Sequence, residues 1–154
     1  MGNLKIETLS SINKIEKLYH LIKFNKKKNS AFFDNDKIDI DDFVEIVSNS
    51  DFYIVTYKGM LVGYFYLEFN TTTYATISWG VINNDHAMLT NVFIQKSFAF
   101  IKNKYTYIKY LIGYIKTNNS SSIRIAEKFG FKRKCLLEEY ADGNDVYVYV
   151  LKLK

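Results

Sequence analysis

Residues 117–131, Thr-Asn-Asn-Ser-Ser-Ser-Ile-Arg-Ile-Ala-Glu-Lys-Phe-Gly-Phe, place polar, cap-forming side chains directly before a helix-forming run. Asn119 and Ser120 carry short side-chain oxygens that accept from the orphan N–H groups of a first helical turn. Ile123, Ala126 and Phe129, with Ile125, mark one apolar face at helical spacing. Gly130 follows as a residue free to take positive φ, and Phe131 opens the next apolar run. The chemistry open to such a segment is ligand binding. An exposed helix start beside a buried strand end presents N–H donors and the positive end of a dipole. His86, one of 2 histidines, adds a loop imidazole that can act as a base or phosphate contact, or simply stay solvated. Cys135 falls in an apolar run and is expected to be an inert core thiol.

These residues need elements to position them, and the periodicity supplies one continuous chain of them. Leu4–Leu9 alternates as a short strand. Ser10 or Ser11 caps a helix to about Phe24, with Ile12, Ile15, Leu18, Tyr19 and Ile22 on one face. After a polar break at Asn25–Ser30, Asp34–Asp39 leads into a helix over Ile40–Val47, with Phe43, Ile46 and Val47 inward. Strands follow at Phe52–Tyr57, Met60–Phe69 and Thr73–Ile82, joined by Lys58-Gly59 and Asn70-Thr71-Thr72. A long helix is expected over Met88–Asn103. Next comes a strand at Tyr107–Lys116, apolar on both faces and so central. The capped helix comes next, then strands Phe131–Glu139 and Asp145–Lys154. Gly63, Gly80 and Gly113 interrupt strands, as a bulge or a close approach of backbone would require. Trp79 alternates with Ile77 and Val81 and reads as core.

Composition bounds the function. A chain of 154 residues with 48% hydrophobic residues suits one domain, residues 1–154, with a real core. No apolar run approaches the roughly 18 residues of a membrane span, and the N-terminus lacks an apolar signal core. A lone cysteine makes no internal disulfide, which suits a cytoplasmic setting. The net charge is +5, but Arg124 and Arg133 are the only arginines and the lysines are scattered. Nucleic-acid recognition favours arginine forks, so no nucleic-acid partner is expected. The basicity reads as solvated surface with a mild bias toward anionic ligands.

The spacing Asn119-x-x-Ser122-Ile123-Arg124, then Glu127-Lys128-x-Gly130-Phe131, resembles the fourth-helix motif of the GCN5-related N-acetyltransferases, the GNAT family. It looks most like the branch that acetylates ribosomal-protein N-termini and antibiotics. The tail from Gly130, with its acidic-aromatic Glu138-Glu139-Tyr140, a turn, and Asp145-Val146-Tyr147-Val148-Tyr149, is similar to that branch's ending. The resemblance covers roughly residues 50–154 and is densest from Ile112 onward. The element order β-α-α-β-β-β-α-β-α-β-β follows from periodicity alone and is also the family's. The resemblance implies an α/β (α+β) fold: one domain with a mixed, twisted sheet of about seven strands and helices on both faces.

The resemblance further implies acetyl-CoA as co-substrate, no metal, and an amine-bearing acceptor, either a small molecule or a protein N-terminus. No membrane partner is implied, and a homodimer is left open. The pantetheine arm would lie between the strands Thr73–Ile82 and Tyr107–Lys116, with Asn119 as a contact. The pyrophosphate would meet backbone N–H groups of the next helix start, at Asn83, Asn84, Asp85, His86, Ala87, Met88 and Leu89, and a backbone N–H near Val81 would polarise the thioester carbonyl. The chain departs from the family here. Val81–Thr90 holds no glycine and no arginine, so the phosphate-loop motif is degenerate, and Asp85 adds a negative charge. Ser122 matches the family serine that can protonate the departing thiolate, or it is an ordinary first-turn serine. Glu138 and Glu139 stand where the branch can carry the base for the amine, or they are solvated strand-end carboxylates. Ala126 occupies the position of a tyrosine acid in many relatives. The implied activity is direct acetyl transfer to an amine. The alternative is a catalytically degenerate acetyltransferase-like module that works through protein contact, such as a phage or parasite component.

Overall fold

The computed structural model describes residues 3–24, 38–82 and 87–154. Its elements, in order, are β1 (Leu4–Thr8), α1 (Ile12–Phe24), α2 (Ile40–Asn49), β2 (Asp51–Tyr57), β3 (Met60–Phe69) and β4 (Tyr74–Val81). They continue with α3 (Ala87–Lys104), β5 (Tyr110–Lys116), α4 (Ser120–Lys128), β6 (Lys132–Ala141) and β7 (Asn144–Lys152). The expected order holds throughout. Boundaries move by one to three residues, most at β5, which starts at Tyr110 rather than Tyr107. The expected breaks at Asn25–Ser30 and Asp34–Lys37 lie outside the described residues.

The strands form one seven-stranded mixed sheet in the order β1-β2-β3-β4-β5-β7-β6. β1–β2, β2–β3, β5–β7 and β6–β7 run antiparallel, and β4–β5 runs parallel. Four helices accompany it among the described residues, giving an α+β architecture. By backbone proximity the chain divides into two compact units. One is Met1–Glu68 with Trp79–Ala99, and the other is Phe69–Ser78 with Phe100–Lys154.

The first unit is built around aromatic residues. Ile15, Leu18, Tyr19 and Ile22 of α1 are buried, as the helical spacing requires, whereas Ile12 is 56% exposed. α2 starts at a reciprocal cap: Asp42 N–H donates to the Asp39 carboxylate at 2.9 Å, and Asp39 N–H donates to the Asp42 carboxylate at 3.1 Å. Its Phe43 and Val47 are buried. The register sets Phe52 opposite Tyr66. The Phe52 ring stacks on both Tyr66 and Tyr64, at 5.2 and 5.6 Å. Phe43 meets Phe52 edge-on at 5.9 Å. Such ring pairs add about 0.5–1.5 kcal/mol each beyond their burial. Close packing accounts for two of the strand glycines. A Cβ on Gly80 would sit 2.3 Å from the Tyr64 ring, and one on Gly63 would sit 2.7 Å from the Gly80 carbonyl oxygen. Gly113 meets only an ordinary contact with Phe131 at 3.9 Å. Trp79 is half-buried, edge-on to Phe98 at 6.5 Å.

The second unit holds β5, α4, β6, β7 and the start of β4. The parallel ladder between β4 and β5 spans only Tyr74↔Tyr110, Ala75↔Leu111 and Thr76↔Ile112, with the Tyr74 and Tyr110 rings stacked at 4.8 Å. β5 is fully laddered on its other side, from Tyr110↔Lys152 to Lys116↔Val146. The β6 edge corrects one expectation: Cys135 is exposed, not core. An edge strand buries neither row of its side chains here, so the apolar run Cys135-Leu136-Leu137 does not mark an interior.

Candidate functional site

In the second unit the turn from β5 into α4 is closed by local chemistry. Asn119 N–H donates to the Lys116 carbonyl at 2.9 Å, and Ile123 N–H donates to the Asn119 carbonyl at 3.1 Å. The Asn119 side chain accepts from the Ser122 N–H at 3.2 Å and is the N-cap of α4. Of the two cap residues expected, Asn119 takes the role and Ser120 is the first helical residue. Asn119 and Ser122 are half-buried at this helix start. Ala126 is fully buried on the core side of α4, so this face of the helix offers no acid at that position.

β6 carries the carboxylates on an irregular stretch. Leu137 pairs with Val146 and Ala141 with Asn144, leaving Glu138, Glu139 and Tyr140 opposite Asp145 alone. Glu139 sits at φ +50°, in the left-handed region. A non-glycine residue there is uncommon, and bulges of this kind gather near active sites. Asp145 holds the strained residue: its carboxylate accepts from the Glu139 N–H at 3.0 Å. The Asp145 carbonyl meanwhile accepts from Thr117 N–H at 3.1 Å. One residue thus ties the bulge to the turn that presents Asn119 and Ser122. Glu138 and Glu139 are both exposed.

Sequence reasoning missed two groups. Tyr140, next to Glu139, stacks on Tyr114 of β5 at 5.5 Å and 8° between planes. Tyr114 is 42% and Tyr140 58% exposed. Partial burial, then Tyr140, then Cys135 raise the Tyr114 phenol above its ordinary pKa, so it stays protonated at neutral pH. Strand alternation placed Tyr114 on one face; no sequence signal pairs it with Tyr140, because the bulge sets that register. The other group clamps α4 to the sheet. Arg133 Nε donates to the Tyr149 hydroxyl at 3.1 Å, and that hydroxyl donates to Glu127 at 3.0 Å. The Arg133 guanidinium lies 3.8 Å over the Tyr147 ring. Burial raises the Tyr149 phenol, and the Arg133 hydrogen bond opposes that shift.

The residues expected to meet a pyrophosphate belong to the first unit. Val81 ends β4 half-buried, and Ile82 N–H donates to the Val62 carbonyl at 3.0 Å. Asn83, Asn84, Asp85 and His86 lie outside the described residues. Ala87 and Met88 open α3, whose first turn holds no acidic residue, and Leu89 is half-buried there. Among the described residues no group of three or more His, Cys, Asp or Glu side chains is placed to hold a metal ion.

No family model and no curated protein sequence matches the chain. Solved structures do. An acetyltransferase from Salmonella typhimurium that modifies the N-terminal serine of ribosomal protein L7/L12 superposes with a TM-score of 0.79 at 12% identity, over 98% of this chain and 95% of its own. YncA, an acetyltransferase from the same organism solved with its cofactor acetyl-CoA, reaches 0.73 at 13% identity, over 98% and 94%. An acetyltransferase of the GNAT family from Bacillus anthracis reaches 0.75 at 17% identity, over 99% and 96%. The fold is the GNAT fold. Agreement across nearly the whole of each chain at such low identity means that the architecture is shared while the side chains have diverged. The β5–α4 turn and the β6 bulge are therefore read from this chain's own geometry. No helix among the described residues is long and apolar enough to cross a membrane.

Proposed function

We propose that the chain is an N-acetyltransferase that moves an acetyl group from acetyl-CoA to a primary amine, on a protein N-terminus or a small molecule. The observation that carries this reading is the Asp145 tie. It joins the strained bulge bearing Glu139 to the turn bearing Asn119 and Ser122. Strain of about 1–2 kcal/mol at a non-glycine left-handed residue persists where the surroundings over-determine it. On this reading the strain serves the Glu139 carboxylate.

The residues fit acetyl-CoA as substrate. On the second unit, Asn119 caps α4 with its side-chain oxygen, which leaves its amide NH₂ as the group proposed to meet the amide-rich pantetheine arm, and the ladder between β4 and β5 stops after three pairs. On the first unit, the first turn of α3 carries no acidic side chain, although Asp85 precedes it by two residues in the sequence and opposes a pyrophosphate there. In the proposed reaction Glu139, or Glu138, takes a proton from the ammonium through water and releases a nucleophilic amine. Ser122 returns a proton to the departing thiolate. Transfer is direct, with no acyl-enzyme: Cys135 is a free, exposed cysteine with no histidine near it in the sequence.

Two measurements on the intact chain test this. Acetyl-CoA should raise the melting temperature over a buffer blank, and a panel of N-terminal peptides and polyamines should include an acetylated member. The Glu138→Gln/Glu139→Gln chain should lose about 10²- to 10⁴-fold in kcat while its acetyl-CoA affinity changes little. A folded chain that neither binds acetyl-CoA nor acetylates any amine sinks the proposal and leaves the protein-contact module.

A further inference from the structure

β6 ends the sheet, with β7 on one side and, among the described residues, no strand on the other. Of its ten residues only Leu137 and Ala141 are even half-buried. An open strand edge is a template for another strand. Natural edges are commonly protected by like charges, which repel a second copy. This edge is arranged differently. It reads Lys132-Arg133-Lys134, then Cys135-Leu136-Leu137, then Glu138-Glu139: cations, apolar residues, anions. An antiparallel copy of such a strand meets opposite charge at both ends.

The pairing with β7 singles out the same positions. Lys134 falls between Arg133↔Tyr149 and Cys135↔Val148, and Glu138 falls between Leu137↔Val146 and Ala141↔Asn144. With Glu139, which sits in the left-handed region beside Glu138, these are the charged residues of β6 that β7 does not pair. Arg133, by contrast, is already engaged with Glu127, Tyr147 and Tyr149. Leu136, midway between Lys134 and Glu138, leaves 46% of its surface in water.

We propose that β6 is a homodimer interface. Two copies join edge to edge, antiparallel, about a twofold axis at Leu136. Lys134 then faces Glu138 of the second copy, and symmetry repeats the pair. Leu136 faces Leu136 of the second copy, which covers the apolar centre. The register is specific. Centring on Cys135 sets Lys134 against Leu136, and centring on Leu137 sets Leu136 against Glu138. Both expose a charge to an apolar side chain. Opposite charges facing across strands attract and like charges repel, so the charge order selects this arrangement.

The test is sedimentation equilibrium of the full chain, with circular dichroism as a check on folding. The wild-type chain should sediment at twice its 18.1 kDa. Lys134→Glu and Glu138→Lys should each weaken dimerisation by about tenfold or more, since each places like charges face to face twice. The double variant Lys134→Glu/Glu138→Lys should restore it. A second arm fixes the register. In a Cys135→Ser background, Leu136→Cys should form a disulfide-linked dimer on oxidation, because facing residues lie about 5 Å apart. The native Cys135 should not, because a diagonal pair is roughly 7–8 Å apart. A monomeric wild type overturns the proposal. So does a dimer indifferent to both single charge changes, a double variant that stays dissociated, or a link through Cys135 in place of position 136.

Discussion

At Glu139 backbone and side chain pull in different directions. The backbone at φ +50° suits glycine, while the proposed chemistry needs the carboxylate. Glu139→Gly should therefore stabilise the chain by about 0.5–1 kcal/mol and lower kcat by about 10²-fold or more. Thermal melts and steady-state rates on one sample check both signs together. Gly80 is the opposite case, where a side chain has no room. Gly80→Ala drives a methyl into the fully buried Tyr64 ring and should cost about 1–3 kcal/mol in a urea titration. Tyr64 also sets an alkaline limit. Burial first, then Tyr66, raises its phenol well above 10.0. Above about pH 10 the unfolded chain releases that proton and the folded chain keeps it, so stability present below pH 10 falls as pH rises. In Tyr64→Phe that fall should be shallower. The residues legible from sequence were those with local chemistry. Asn119 declares itself by standing before a helical run. Tyr114 with Tyr140, and the second use of Asp145, depend on how a bulge shifts a register, and no spacing rule carries that.

α4 is held at both ends by identifiable contacts, and substitutions separate its roles. Asn119→Ala removes the cap and should cost about 1 kcal/mol. Asn119→Ser keeps a capping oxygen but shortens the side chain and removes the amide. It should leave the melting temperature close to wild type while raising KM for acetyl-CoA. An equal loss of stability in both chains would show that Asn119 only caps. Element order was legible because helical and strand periods differ and because turns such as Lys58-Gly59 are local: Lys58 and Gly59 both take positive φ. Burial was less legible. The apolar strip of β6 signalled interior, yet the strand lies at an edge. An edge position is a property of the whole sheet, and no run of ten residues encodes it.

At the scale of the whole molecule, the chain forms two compact units by backbone proximity, and β4 and α3 each pass from one to the other. We expect them to unfold as a single domain. Trp79, the one tryptophan, reports on the first unit, whereas far-ultraviolet circular dichroism reports on both. The two urea transitions should coincide, and separated midpoints would show independent units. Asp145 has a consequence at the same scale. Its carboxylate and carbonyl latch the bulge and the β5–α4 turn to one residue, so under the proposed function an acceptor at Glu139 and acetyl-CoA at Asn119 would both lean on Asp145. Linkage then demands reciprocity: the factor by which acetyl-CoA alters the acceptor's affinity is the factor by which the acceptor alters that of acetyl-CoA. In Asp145→Ala the two ligands should become strangers, each binding as though the other were absent.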